Sequence, residues 1–132
     1  MELSNISDNI LLRYITNIMS HLGVPDRLKG YYYLRTAILL CVRDMAAATD
    51  ASGLLYPTIA EQYRTTEPNV KRDMRSAIEV AWKQGNIEEF EKMFGYSKTS
   101  GRPKPGNGEF IARVADNIRL DVKRLPEIQK LP

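Results

Sequence analysis

The residues with the clearest chemical potential are Asn69, Lys71, Arg72, Arg75 and Ser76, crowded into the segment TTEPNVKRDMRSAIEVAW. An arginine guanidinium is a planar fork that fits O6 and N7 of guanine. An asparagine amide bridges N6 and N7 of adenine, and a lysine donates to guanine or to phosphate. These contacts need a backbone slender enough to enter a major groove, which an α-helix supplies. Thr65 and Thr66 before the run, Lys83 at its end, and Arg102 and Lys104 in the later stretch SKTSGRPKPGNG are placed to donate to phosphate oxygens. The chemistry on offer is recognition of duplex nucleic acid, the first set reading bases and the second holding backbone.

Catalytic alternatives find little support. His21 and Cys41 fall on separate helical segments with no motif around them, and Asp44 and Asp50 are isolated. There is neither a Gly-rich phosphate loop nor a Cys/His set with zinc spacing. The expectation is a protein that is no enzyme and needs no cofactor or metal. Tyr31, Tyr32 and Tyr33 make no single stacking platform, because consecutive helical residues point about 100° apart. They read as core and rim packing.

Helices must position the polar run. Apolar residues recur at intervals of three and four almost throughout, so the spacing predicts an all-α compact bundle of about six helices. Ile6, Ile10, Leu11, Tyr14, Ile15, Ile18 and Leu22 mark a first helix, ended by Gly23 and Pro25. RLKGYYYLRTAILLCVRDMAAA is apolar on most sides and reads as a long, central, buried helix. LLYPTIAEQYR is a short helix with Pro57 near its start. Thr66 is an N-cap for a helix over 68–84, stopped by Gly85 and Asn86. IEEFEKMF is a short amphipathic piece, 97–108 a basic Gly/Pro-rich loop, and EFIARVADNIRLDV a last helix before a polar tail.

Residues 58–84 therefore read as a helix-turn-helix. On a wheel centred on Val70, Met74, Ala77, Ile78 and Ala81 form the buried stripe. Pro68, Arg72, Arg75, Ser76, Glu79 and Lys83 lie opposite, with Asn69 and Lys71 on the flanks. Ala60 suits a close helix–helix approach, Ile59, Tyr63, Val70 and Met74 fill the space between the two helices, and Trp82 is expected against the long central helix. Charge opposite an apolar stripe also occurs on helices with no nucleic-acid role, so spacing alone leaves a protein-binding helical adaptor open.

Composition sets the bounds. With 132 residues, 43% of them hydrophobic, one domain over 1–132 is the default. A net charge of +3 argues weakly for an anionic partner, yet Ser97 to Arg124 carries seven basic residues against three acids. The lone Cys41 cannot form an internal disulfide, and no signal-like or membrane-length apolar segment is seen, so the expectation is a soluble cytoplasmic protein.

HLGVPDRLKGYYYLRTAI, LLYPTIAEQYRTTEPNVKRDMRSAIEVAWKQGNIEEFEKMFGY and KPGNGEFIARVADNIRL resemble, in order, successive blocks of the C-terminal effector domain of the stage-zero sporulation protein A family. The resemblance runs from about Ile15 to Leu120, and AIEVAW, GN, FGY and EFIA are distinctive together. It implies an all-helical domain that binds promoter DNA as paired copies and touches the RNA polymerase sigma subunit. Arg72 falls where that family has a base-reading arginine, and Arg75 keeps a basic residue one turn on. Lys71 stands where Glu is usual, Asn69 where Arg is frequent and Ser76 where His is common, so the family's base preference does not carry over at these positions. Gly85 to Tyr96 aligns with the sigma-contacting region, making Gly85, Ile87, Glu89, Glu91 and Phe94 the candidates, in a stretch made unusually acidic by Glu88, Glu89 and Glu91. Too few residues precede the resemblance for a phosphorylatable receiver domain; regulation is expected to rest on abundance, partners or promoter competition if the chain is complete, and on phosphorylation of the parent if it is cut from a receiver-containing protein.

Overall fold

The computed structural model describes residues 2–49 and 53–128. Among them are six α-helices: α1 (Asp8–Leu22), α2 (Lys29–Arg43), α3 (Leu55–Gln62), α4 (Glu67–Gln84), α5 (Ile87–Phe94) and α6 (Asn107–Ile128). Short 3₁₀ turns occupy Leu3–Asn5, Met45–Thr49 and Lys98–Ser100, and no strand is found among the described residues. Asp50 lies outside them. The long apolar stretch expected as one helix ends at Arg43, where Asp44 turns extended and its carboxylate accepts from the Ala46 amide.

Local signals account for most boundaries. Ser7 caps α1 by accepting from the Ile10 amide, and Gly23 ends it in the left-handed conformation at φ 87°. Thr66 accepts from the Asn69 amide at 3.3 Å to start α4, with Pro68 in the first turn. Asn86 accepts from the Glu88 and Glu89 amides to start α5, where both acids also suit the positive end of the helix dipole. Helix α6 runs on to Ile128, into the stretch expected as a polar tail, while Val122, the last residue of the expected helix, still reaches the core.

The centre of the bundle is α2, which packs against α1, α4 and α6. Its Tyr31, Leu34, Ala37, Ile38, Cys41 and Val42 are buried, as are Leu11, Ile15, Met19 and Leu22 of α1 and Phe110, Ile111, Val114 and Ile118 of α6. The first stripe differs from expectation at two places. Met19 replaces Ile10, which is 46% exposed, since Leu11, Ile15, Met19 and Leu22 share one face and Ile10 sits about 100° round from it. Two arginines close the C-terminal end of α2. Arg119 donates to the Val42 carbonyl at 2.6 Å, while Arg43 clasps the Asp8 carboxylate and the carbonyls of Leu3 and Ile6.

Two glycines let backbones meet. A Cβ on Gly30 would overlap the Asp73 carbonyl and lie 2.9 Å from the Ala77 methyl, so α2 and α4 approach here as closely as two helices can. At the other end of α4, Gly85 backs onto the Leu22 carbonyl beside Gly23. Trp82, expected against α2, makes its ring contacts edge-on with Phe90 (5.3 Å) and Tyr96 (5.7 Å). It ties α4 to α5 and to the loop that follows.

Gly30→Ala is expected to destabilise the fold by about 1–3 kcal/mol or more, since backbone must move to admit the methyl. Gly108→Ala, in the first turn of α6 where the added Cβ meets open space, is expected to stabilise by up to about 1 kcal/mol. Chemical denaturation of the two variants measures both, and equal effects would show that the α2–α4 approach is not tight.

Candidate nucleic-acid interface

Helix α3, the turn 63–66 and α4 cover the stretch 58–84 that the sequence suggests as a helix-turn-helix. Ile59, Ala60, Val70 and Met74 are buried between the helices, and the half-buried Tyr63 shares a 2.7 Å hydrogen bond with Thr36 of α2. The turn is a Schellman closure. The Thr65 amide donates to the Ala60 carbonyl and the Arg64 amide to that of Glu61.

This packing leaves one side of α4 uncovered. Taking Val70 as origin and about 100° per residue, Asp73 and Ala77, which meet α2, lie at roughly −60° and −20°. Lys71 and Arg75 lie at roughly +100° and +140°, and Arg72 and Ser76 occupy the arc between those two sides. Arg72, Arg75, Ser76 and Lys71 are all exposed. The Arg72 side chain is 65% accessible, and its one ionic contact among the described residues is a 3.4 Å approach to neighbouring Asp73. Asn69 is half-buried on the α2 side, with its Nδ2 donating to Thr65 Oγ1 at 3.2 Å. Thr65, Thr66 and Asn69 thus form one small network at the N-terminus of α4, where free amides favour an anion.

The basic loop returns to the opposite flank. Lys104 Nζ reaches Glu79 Oε2 at 3.4 Å, and the same carboxylate receives Lys83 at 3.0 Å. The Lys83 hydrogen bond, and then the Lys104 charge, hold the Glu79 carboxyl below its ordinary range. Asn107 Nδ2 donates to the Lys71 carbonyl, and Lys71 Nζ stands 4.9 Å over the Tyr56 ring. The result is an open cleft of about 430 Å³ lined by Tyr56, Lys71, Arg75, Lys104 and the backbone of 105–108. Three cations around one recess suit a phosphate group. Tyr56 and Asn107 were not marked by the sequence, since each acquires its role only when the loop meets α4.

Arg102 is exposed but not loose, with its guanidinium 4.3 Å over the Tyr96 ring. Ser97 and Ser100 form a reciprocal capping box that holds the start of this loop.

The sigma-contact candidates divide. Phe94 is only 3% exposed, with its ring stacked between those of Phe90 and Phe110, so it cannot present a contact surface. Gly85 is occupied by its approach to Leu22. Ile87 and Glu89 are half-exposed, and exposed Glu91 accepts from the Ser97 hydroxyl. The reason is amphipathicity: α5 turns Phe90 and Phe94 inward and leaves Glu88, Glu91 and Lys92 outward. Cys41 is fully buried and His21 sits at the surface on the Asn17 carbonyl, and the described residues contain no cluster of potential metal ligands. No helix among them is long and apolar enough to cross a membrane.

A family model described as "Sporulation initiation factor Spo0A C terminal" matches residues 15–118, well over half of the chain. The chain belongs to this family. It is accordingly a DNA-binding effector domain of the sporulation response-regulator type. The matched span takes in every helix that builds the interface, from within α1 to within α6.

Tyr96 offers a pH test of the loop's anchor. Its hydroxyl donates to Glu109, and burial, aided by that bond and opposed by Arg102, pushes the phenol up to about 12 from 10.0. The folded state therefore holds this proton more tightly than the unfolded state. Its contribution is complete below pH 10 and lost as pH rises through about 12. Melting temperature is expected to fall across that window, and Tyr96→Phe to remove part of the fall. Ultraviolet titration that finds no late-ionising tyrosine would refute the anchor.

Proposed function

We propose that the chain is a sequence-specific regulator of transcription that lays α4 in the major groove of double-stranded promoter DNA. The observation that carries this reading is the exposed arc of α4, where Arg72, Arg75 and Ser76 stand clear of the bundle beside a recess of three cations. Arg72 reads guanine by its planar fork, with Arg75, Lys71, Ser76 and Asn69 fixing neighbouring positions. Thr65 and Thr66 at the helix start, and Lys83, Arg102 and Lys104 at the far flank, hold phosphates. A Lys at 71 donates where a Glu would accept from cytosine, so the selected operator should favour guanine or a phosphate contact there.

Contact with the sigma subunit would fall to the outward residues of α5, Glu88, Glu91 and Lys92 with half-exposed Ile87 and Glu89, and self-association would pair copies on tandem sites. A helical adaptor without specific DNA binding is the competing function. It would leave duplex mobility unchanged at every salt concentration.

Selection from random duplexes, followed by binding measurements, tests the proposal. Arg72→Ala should weaken the selected site by about 1–3 kcal/mol and random duplex much less. Equal losses on both would reduce Arg72 to a phosphate contact.

A further inference from the structure

The turn of the helix-turn-helix contains the one non-glycine residue with positive φ among those described, Arg64 at φ 54°. It occupies the position after the C-cap of α3 in the Schellman closure, where glycine is the residue without a steric penalty. A bulky side chain kept in that conformation at an exposed position is not part of the buried core, which directs attention to its charge. Arg64 lines a second open recess, of about 320 Å³, together with Lys29, Tyr32, Tyr33, Tyr63 and Thr65. Its floor is firm: Tyr33 and Tyr63 pack edge to face at 5.1 Å, and Tyr63 is bonded to Thr36. Lys29 and Arg64 are both exposed, and neither makes an ion pair among the described residues.

The location matters as much as the charge. Lys29 opens α2 next to Gly30, the residue that meets α4 at Asp73 and Ala77. This recess therefore lies on the α2 side of α4, whereas Lys104 and the 105–108 backbone lie on the other. The exposed arc with Arg72 and Ser76 runs between two cationic recesses. A helix seated in a major groove has a sugar–phosphate backbone on each side, and contacts to both fix its register.

We infer that Lys29 and Arg64 form a second phosphate clamp, holding the DNA strand across the groove from the one held by Arg102 and Lys104. The inference rests on the DNA-reading proposal above and adds the strand partner and the residues that hold it. The strained turn is retained because an arginine there reaches a backbone that glycine would leave unbound.

The variants Arg64→Gly, Lys29→Gln and their combination test this by duplex binding across a salt series and by thermal melting. Arg64→Gly is expected to melt at or above the temperature of the unsubstituted chain while binding all duplexes more weakly, so misfolding cannot explain the loss. Each lost phosphate contact flattens log affinity against log salt by about 0.9, so the double variant should lose nearly two units of slope with sequence preference intact. Unsubstituted protein with a steep slope that the double variant retains would overturn the clamp and leave DNA reading in place. Unsubstituted protein that binds no duplex would overturn both.

Discussion

Everything on the exposed side of α4 depends on how closely α4 can lie against α2. With no side chain at Gly30, the Asp73 carbonyl and the Ala77 methyl come to rest on the α2 backbone, and this contact fixes which arc of α4 turns outward. Rotation of α4 by a single residue would carry Arg72 about 100° round, either under the returning loop or towards α2. A steric limit of one methyl thus sets the aim of a charged surface. The second backbone contact, Gly85 against Leu22 beside Gly23, pins the far end of the same helix and prevents it from pivoting about the first.

Around that fixed helix the polar residues are held by partners that stop short of neutralising them. Lys104 and Lys83 share the single carboxylate of Glu79, so two cations face one anion. Arg102 is oriented by an aromatic face, as is Lys71 over Tyr56, and neither makes an ion pair among the described residues. Isolated surface ion pairs of this kind add little stability, and their effect here is to limit where long side chains can go. A basic loop rich in glycine and proline is thereby placed along α4 before any ligand arrives.

Much of this was legible in the sequence because short-range physics decides it. Thr66, Asn86 and Gly23 announce helix ends through capping chemistry, and Val70, Met74, Ala77, Ile78 and Ala81 announce a buried stripe by period alone. What escaped depends on contacts distant in the chain. Lys104 meets Glu79 across 25 positions and Asn107 meets Lys71 across 36, so nothing local marks Tyr56 or Asn107 as part of a recess. Phe94 is a contact candidate only because the resemblance spans it, and its burial depends on Phe110 of α6, sixteen positions along the chain. Arg64 escaped for the opposite reason. The turn geometry usually betrays itself by a glycine, and here the glycine is absent while the geometry remains.

Trp82 is the single tryptophan of the chain, and it stands near the C-terminal end of α4 against the rings of Phe90 and Tyr96. Its indole emission therefore reports one place, the hinge between α4 and α5, without contribution from any second indole. Ten positions of α-helix separate it from Arg72, roughly 15 Å of axial rise. That gap is too long for a base bound beside Arg72 to touch the indole, whereas the Phe90 ring of α5 lies 5.3 Å from it. The molecule carries an optical label for the α4–α5 junction that is out of reach of contacts made beside Arg72.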